Sequence, residues 1–234
     1  MILAGHHTML GGSAAMRCAV FDGLKTSRMQ SAAHSVSPVQ HPQISIVAWI
    51  LCRDYALSNL RSISLFDGAS NKATGPELAV TNGTTGTCGW IFQWVTDFQN
   101  VVVGDMLGEW HHYAISFVPT TASIYFDGHL LKTASANYWL RNNEAANLVV
   151  GLGSKYTADS TFVGKIANVS IFDRAVSGSE IATLAADPTV IPTGAMHQWL
   201  FANDDGVDTG IAQTKWDLTI GSTTAFEKLS TGGG

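Results

Sequence analysis

The sequence predicts an all-β chain, an antiparallel jelly-roll β-sandwich with one short helix toward its C-terminal side. Three observations carry that expectation. Apolar residues recur with period two in short runs, the pattern of half-buried strands. Gly, Asn, Asp, Ser and Thr interrupt those runs at close intervals, as hairpin turns require. Only one stretch carries helix start and stop signals. The 234 residues are 46% hydrophobic and 13% charged and include 23 glycines, which suits a single well-filled sandwich joined by many turns. The expected division is an N-terminal arm over 1–15, the sandwich over 16–187, a C-terminal strand pair over 188–229 completing the same sandwich, and a Gly-rich tail over 230–234.

The strand signals in chain order are RCAVF, ISIVAWILC, SISLF, ELAVT, GWIFQWV, NVVVG, HHYAISFV, ASIYF, NLVVGLG and KIANVSIF. Turn pairs that tolerate positive φ stand at Asp22-Gly23, Asp67-Gly68, Asn82-Gly83 and Asp127-Gly128. The helix is expected near Ser179 to Ala186. Ser177 and Glu180 form a capping box there, Ile181 and Leu184 supply an apolar stripe, and Pro188 follows the end. It is expected to lie across one end of the sandwich. Period two also places Trp49, Phe117, Tyr125 and Ile171 in the interior, and Trp90, Trp94 and Trp110 fall in apolar strands as core residues.

Composition excludes several functions. A net charge of −5, with thirteen basic residues scattered singly, offers no phosphate-binding stripe, so nucleic acid is not an expected partner. The opening MILAGHHTMLGGSAAMRC has neither a basic start nor a sustained apolar core and does not read as a secretory signal. The apolar run ISIVAWILC is far shorter than the roughly 20 residues a membrane helix needs, so no membrane insertion is expected. Cys18, Cys52 and Cys88 are odd in number and form no C-x-x-C pair. They read as buried thiols of a protein folded in a reducing compartment.

The stretch GEWHHYAISFVPTTASIYFDGHLL resembles the central hairpin of laminin-G-like, concanavalin-A-like and pentraxin-type sandwiches, where a G-x-W-H-H strand is followed by one ending in a Y-x-D-G turn. AVFDG resembles that family's opening strand, ISIVAWI its second, and FVGKIANVSIFDRAVSGSEIATL its closing strand and terminal helix. The resemblance runs from Met16 to about Asp187. Beyond it, AMHQWLFANDDGVDTG and WDLTIGST look like a strand pair that more often precedes the domain in relatives. The fold is implied more sharply than the function, because this sandwich hosts lectins, adhesion modules, glycan hydrolases and structural domains.

Glycan hydrolases of the family place carboxylates at alternate positions of one strand, aiming an acid and a nucleophile into one cleft. None of the eighteen carboxylates stands two residues from another, so catalysis is not expected. Asp204, Asp205 and Asp208 lie in a Gly-containing loop, and Asp105 and Glu109 across a turn. His111 and His112 alternate to opposite faces and cannot chelate one ion. One is expected to pack near Trp110 and the other to be solvated. His6 and His7 have no third ligand nearby. The family's usual ion is calcium, held by an acidic string after the strand matching VVGLG. Here that stretch is SKYTADS, with Lys155 and the lone carboxylate Asp159, and Asn168 stands where many relatives have Asp. No cofactor is expected, with calcium disfavoured.

Sugar binding needs exposed aromatic faces beside groups that hydrogen-bond hydroxyls. The loop Asn137 to Asn143 supplies these in Asn137, Tyr138, Trp139, Arg141 and Asn143, and Tyr156 and Asp159 follow in a second loop. The same residue types also make protein contacts. The expected function is a non-enzymatic binding or structural module, foremost a bacteriophage virion surface protein of capsid-decoration or fibre type, folded in host cytoplasm. Its partners would be a protein lattice or other virion proteins, with homo-oligomer formation and cell-surface glycans as further expectations. The alternative is a freestanding carbohydrate-binding module.

Overall fold

The structure is a computed structural model, and it describes residues 17–24, 26–32, 34–35, 41–54, 61–68, 77–80, 86–91, 98–104, 107–135, 145–151 and 161–228. In chain order the strands are β1 (Arg17–Asp22), β2 (Met29–Ser31), β3 (His34–Ser35), β4 (Ile44–Cys52), β5 (Arg61–Gly68), β6 (Glu77–Val80), β7 (Gly86–Ile91) and β8 (Phe98–Gly104). They continue as β9 (Trp110–Val118), β10 (Thr121–Phe126), β11 (His129–Ser135), β12 (Ala145–Val150) and β13 (Val163–Phe172). After helix α1 (Gly178–Ala186) come β14 (His197–Trp199), β15 (Leu218–Ile220) and β16 (Ala225–Lys228).

Two antiparallel sheets face each other. One runs β11-β10-β9-β4-β13-β1-β16 with β14 also on β13, and the other runs β15-β2-β12-β5-β6-β7-β8 with β3 also on β12. The expected all-β sandwich with a single short helix is what the described residues form. The two C-terminal segments do not pair with each other. β14 joins β13 in the first sheet and β15 joins β2 in the second. β16 then runs along β1, with Arg17 opposite Lys228, so both ends of the described chain meet at one sheet edge.

The centre of the first sheet is β4, whose nine residues are all buried. Alternation divides them between two surfaces. Ile44, Ile46, Ala48, Ile50 and Cys52 join the main core between the sheets, whereas Val47 points to the helix side and Trp49 and Leu51 to a second outer cluster with Cys18, Trp110 and Ala167. In neighbouring β13 the register against β4 shifts between Ala167 and Ser170, where Asn168 takes φ +49. This bulge changes which residues face inward. Before it Ile166 enters the main core, and after it Val169 and Ile171 do. The Asn168 amide donates to the Pro188 carbonyl at 2.7 Å, tying the bulge to the chain beyond the helix.

Helix α1 begins where its capping box places it. The Glu180 N–H donates to the Ser177 hydroxyl, and the Ser177 N–H donates to the Glu180 carboxylate. The Arg174 guanidinium grips that carboxylate with bonds of 2.7 and 2.9 Å, which with the Ser177 donors lowers its pKa to about 2. Ile181, Leu184 and Ala185 are buried, and Ile181 and Leu184 pack with Val47, Ala114 and Phe172. The helix therefore covers part of the outer face of the first sheet and does not lie across one end of the sandwich, because Val47, Ala114 and Phe172 form an apolar patch there that needs a cover. Trp49, Phe117 and Ile171 are buried as expected. Tyr125 is only half-buried, since the alternation of β10 turns it outward against the helix. The side chains of Trp90 and Trp94 lie outside the described residues.

The β10–β11 hairpin turns on Asp127 and Gly128, with φ +47 and +79, the double positive-φ geometry expected of an Asp-Gly pair. A Cβ on Gly128 would sit 3.0 Å from the Ala182 Cα, whereas Gly108, at the same φ of +79, has nothing within 4 Å. The two glycines thus separate backbone strain from steric contact. Gly108→Ala is expected to destabilise by about 1 kcal/mol through the left-handed conformation alone. Gly128→Ala is expected to cost about 1 kcal/mol more by prying the hairpin from the helix. Urea unfolding midpoints of the two variants measure the difference, and equal losses would contradict the docking of this hairpin on α1.

Candidate functional site

The sequence-predicted binding residues Asn137, Tyr138, Trp139, Arg141, Asn143, Tyr156 and Asp159 all lie outside the described residues. Within the described part, the polar groups include two buried His–Asp units, a set of surface ion pairs, and part of the lining of an open concavity.

The two His–Asp units share one geometry. His111 Nδ1 lies 2.8 Å from Asp127 Oδ2, while the His112 N–H donates to Asp127 Oδ1 at 2.8 Å. His197 Nδ1 lies 2.6 Å from Asp208 Oδ2, while the Gln198 N–H donates to Asp208 Oδ1 at 2.9 Å. Each Asp thus clasps a histidine and the next backbone N–H on a strand. Both His111 and His112 are 1% exposed, so neither is the solvated residue expected. They do face opposite ways. His111 stacks on Phe126 at 4.7 Å, and His112 meets Trp49 edge-on at 5.3 Å. The outer aromatic cluster supplies the second burial site, which a strand with one wet face would lack.

Asp208 is the more heavily bonded acid. It also accepts the N–H groups of Gly210 and Trp216, each at 2.9 Å, and His197 stacks on the Trp216 ring at 3.9 Å. Burial alone would raise its pKa, but His197 and the three backbone donors outweigh burial and lower it to about 2. Other carboxylates are held similarly. Glu180 pairs with Arg174, Glu227 with Lys165, Asp204 with Arg17 and Asp173 with His41. Asp22, Asp187 and Asp217 accept nearby backbone N–H groups. These acids brace turns and strand ends.

Among the described residues no three His, Cys, Asp or Glu side chains converge as a metal centre requires. Asn168 is 4% exposed and donates to Pro188, a bond an aspartate could not make, so its position does not fit a calcium-ligating acid. Lys155 and Asp159 lie outside the described residues. Cys18 and Cys52 are free and buried, and burial pushes both thiols up to about 11.

The concavity lies on the outward face of the second sheet, where β15 edges β2. It encloses about 390 Å³ and is lined by Arg28, Gln30, Ser31, Ala32, Thr219, Ile220 and Gly221. Met29, Ser31 and Leu218 point into the sandwich, so alternation turns Gln30 and its cross-strand partner Thr219 outward, with Arg28 two residues before Gln30. The Ser31 hydroxyl accepts from the Leu148 N–H and donates to the Ala32 carbonyl, which makes it part of the wall. At the rim the Gly221 N–H donates to the Arg28 carbonyl at 2.7 Å, and a Cβ on Gly221 would lie 2.0 Å from the Thr26 carbonyl oxygen. Only glycine permits that close approach. Sequence reading missed these residues. Met29–Ser31 is too short to show alternation, and Thr219 lies nearly the whole chain away from Gln30.

Residues 25–182 match the model of the concanavalin A-like lectin/glucanases superfamily. No curated protein matches the chain. Among solved structures, the native heptameric SAP-like pentraxin of Limulus polyphemus is similar at 12% identity and a TM-score of 0.65, over 93% of this chain and 97% of that one. A Bacteroides ovatus protein assigned to carbohydrate binding is similar at 14% identity and a TM-score of 0.63, over 93% of this chain and 61% of that one. The sialidase of Trypanosoma rangeli, solved with sialic acid, is similar at 15% identity and a TM-score of 0.53, over 70% of this chain and 27% of that one. At these identities the likeness concerns the fold.

The Asp208 cluster sets an acid limit on stability. Its folded pKa of about 2 is depressed below the ordinary 3.8, so its stabilisation is complete above about pH 4 and is lost as pH falls toward 2. The wild type is expected to lose about 2 kcal/mol through this group over that window. Asp208→Asn is expected to destabilise by about 3 kcal/mol at pH 7, because the buried donors keep no carboxylate. It should also flatten the acid slope. Urea unfolding at a series of pH values checks both, and an unchanged slope in the variant would refute the assignment.

Proposed function

The chain belongs to the concanavalin A-like lectin/glucanases superfamily, and on that premise we propose that it is a non-enzymatic, lectin-like binding module. The observation that carries the non-enzymatic half is the engagement of the described carboxylates. Asp127 and Asp208 are locked by histidine and backbone donors, and Glu180, Asp204 and Glu227 by cations. A glycan hydrolase instead needs two acids free to face one bond. The similarity to a Bacteroides ovatus protein assigned to carbohydrate binding supports glycans as the ligand class, although this chain spans 61% of that protein. The proposal needs no resident cofactor.

The finer proposal places the module on a bacteriophage virion, as a decoration or fibre-type protein folded in host cytoplasm and bound to a protein lattice or to copies of itself. The buried free thiols of Cys18 and Cys52 support folding in a reducing compartment. The heptameric pentraxin is a precedent for closed rings on this fold.

Three assays test these readings on wild type and on the double variant Tyr138→Ala with Trp139→Ala. Reducing-end release over a polysaccharide panel is expected to stay at background, and turnover abolished by one Asp or Glu replacement would overturn the non-enzymatic assignment. A glycan array is expected to show binding, and a particle-binding assay to show attachment. Truncating the two aromatics is expected to weaken whichever contact they make by about 2 kcal/mol or more. Glycan binding without attachment or self-assembly would remove the virion reading and leave the lectin one. Loss in neither assay would show that the loop Asn137 to Asn143 is not the site.

A further inference from the structure

We propose that the chain between β14 and β16 is a strap that opens as one unit while the rest of the sandwich stays folded, and that Asp208 is its latch. The topology makes such a unit separable. β14 pairs with β13 and β16 with β1, both in the first sheet, whereas β15 between them pairs with β2 in the second. The chain therefore crosses from one sheet to the other and back, and a strand of the first sheet holds it at each end. β15 is three residues long and stands at the edge of its sheet, so its release leaves the order from β2 to β8 unbroken.

The strap buries little of its own. From 202 to 217 the buried residues are Gly206, Asp208, Gly210 and Trp216, so Asp208 and Trp216 supply the buried side chains of that stretch. Val207, Thr209 and Ile211 alternate with them and face outward. Segments with so few buried apolar contacts open most readily. What holds this one is centred on a carboxylate. Asp208 accepts the N–H of Gln198 on β14 and those of Gly210 and Trp216 within the strap, each at 2.9 Å, and meets His197 Nδ1 at 2.6 Å. His197 also stacks on the Trp216 ring at 3.9 Å, so both buried side chains are seated on one residue of β14. Two other charged groups stand about this unit. Asp217 accepts the Asp208 N–H, and the Lys215 ammonium donates to the Gly210 carbonyl. Both belong to the strap and move with it. Further ties are neutral, from the N–H groups of Thr209, Ile211 and Ala212 to carbonyls of 195–198 and from the Trp199 indole to the Trp216 carbonyl. Neutral hydrogen bonds are about half as strong as charge-assisted ones. The Arg17–Asp204 pair is charged but exposed, a kind of contact that contributes little. Seating also needs close backbone contact, since a Cβ on Gly210 would lie 2.2 Å from the Met196 carbonyl oxygen.

The test follows backbone amide hydrogen exchange of the full chain, residue by residue, at several urea concentrations below unfolding. In wild type the N–H groups of Gly210, Trp216 and Leu218 are expected to share one level of protection. They should exchange at least about tenfold faster than the slowest amides of β4 and β9, with a smaller dependence on urea. Asp208→Asn is expected to speed the three by about a hundredfold, because the buried donors keep no carboxylate. Gly210→Ala, which leaves the charge in place and unseats the backbone, is expected to speed them by at least about tenfold. In both variants β4 and β9 should remain the slower to exchange. Equal protection and equal urea dependence across strap and sheets in wild type would overturn the proposal, since the strap would then open only with the whole fold. Acceleration below about threefold in a folded Asp208→Asn protein would equally overturn it, by removing the latch. If a variant fails to fold, the wild-type comparison decides.

Discussion

One constraint organises the molecule. All nine residues of β4 are buried and all but Ser45 are apolar, so the strand must be covered on both faces. A two-layer sandwich covers only one side of each strand. The second sheet provides the inner cover, and the outer side is divided between α1 over Val47 and an aromatic cluster around Trp49 and Trp110. The placement of the helix, the half-burial of Tyr125 and the burial of both His111 and His112 all follow from that need. The bulge at Asn168 serves it too, because it lets β13 present Ile166 and then Val169 and Ile171 to the same core.

Burying polar residues on such a sheet requires that their hydrogen bonds be met internally. Asp127 and Asp208 meet part of that need in the same way, each holding a histidine Nδ1 and the next N–H of the strand. The two units lie far apart in the sequence, one at the central hairpin and one in the C-terminal segment. The second unit fixes a segment with little regular structure of its own. Between β14 and β15 the chain runs from 200 to 217 with bends and turns, and Asp208 gathers it through Gln198, Gly210 and Trp216.

Local signals in the sequence were legible where the physics is local. The run ISIVAWILC matches β4 residue for residue, Ser177 and Glu180 start the helix, and Asp127-Gly128 makes the tight turn. Long-range consequences were not. Nothing in KIANVSIF marks Asn168 as a left-handed bulge, and a period-two reading assigns His111 and His112 one dry face and one wet one. The expectation of binding at the loop Asn137 to Asn143 rests on residue type alone, an aromatic loop with polar neighbours. Gln30 and Thr219 carry no such signature, since they come to line one concavity only when β15 is laid beside β2.

That pairing ties the concavity to the buried acid. β15 reaches β2 because the preceding chain is held in place, with the Trp216 N–H on Asp208, the Asp208 N–H on Asp217, and the Leu218 N–H on the Gly206 carbonyl. Leu218 anchors the strand in the core and leaves Thr219 on the open face. The outer wall of the concavity is therefore only as firm as the Asp208 cluster behind it. Protonating Asp208 removes the negative charge that gathers its donors, so acid is expected to loosen the segment that supports β15. A wall borrowed from the far end of the chain makes the shape of this face conditional on closure of the sandwich.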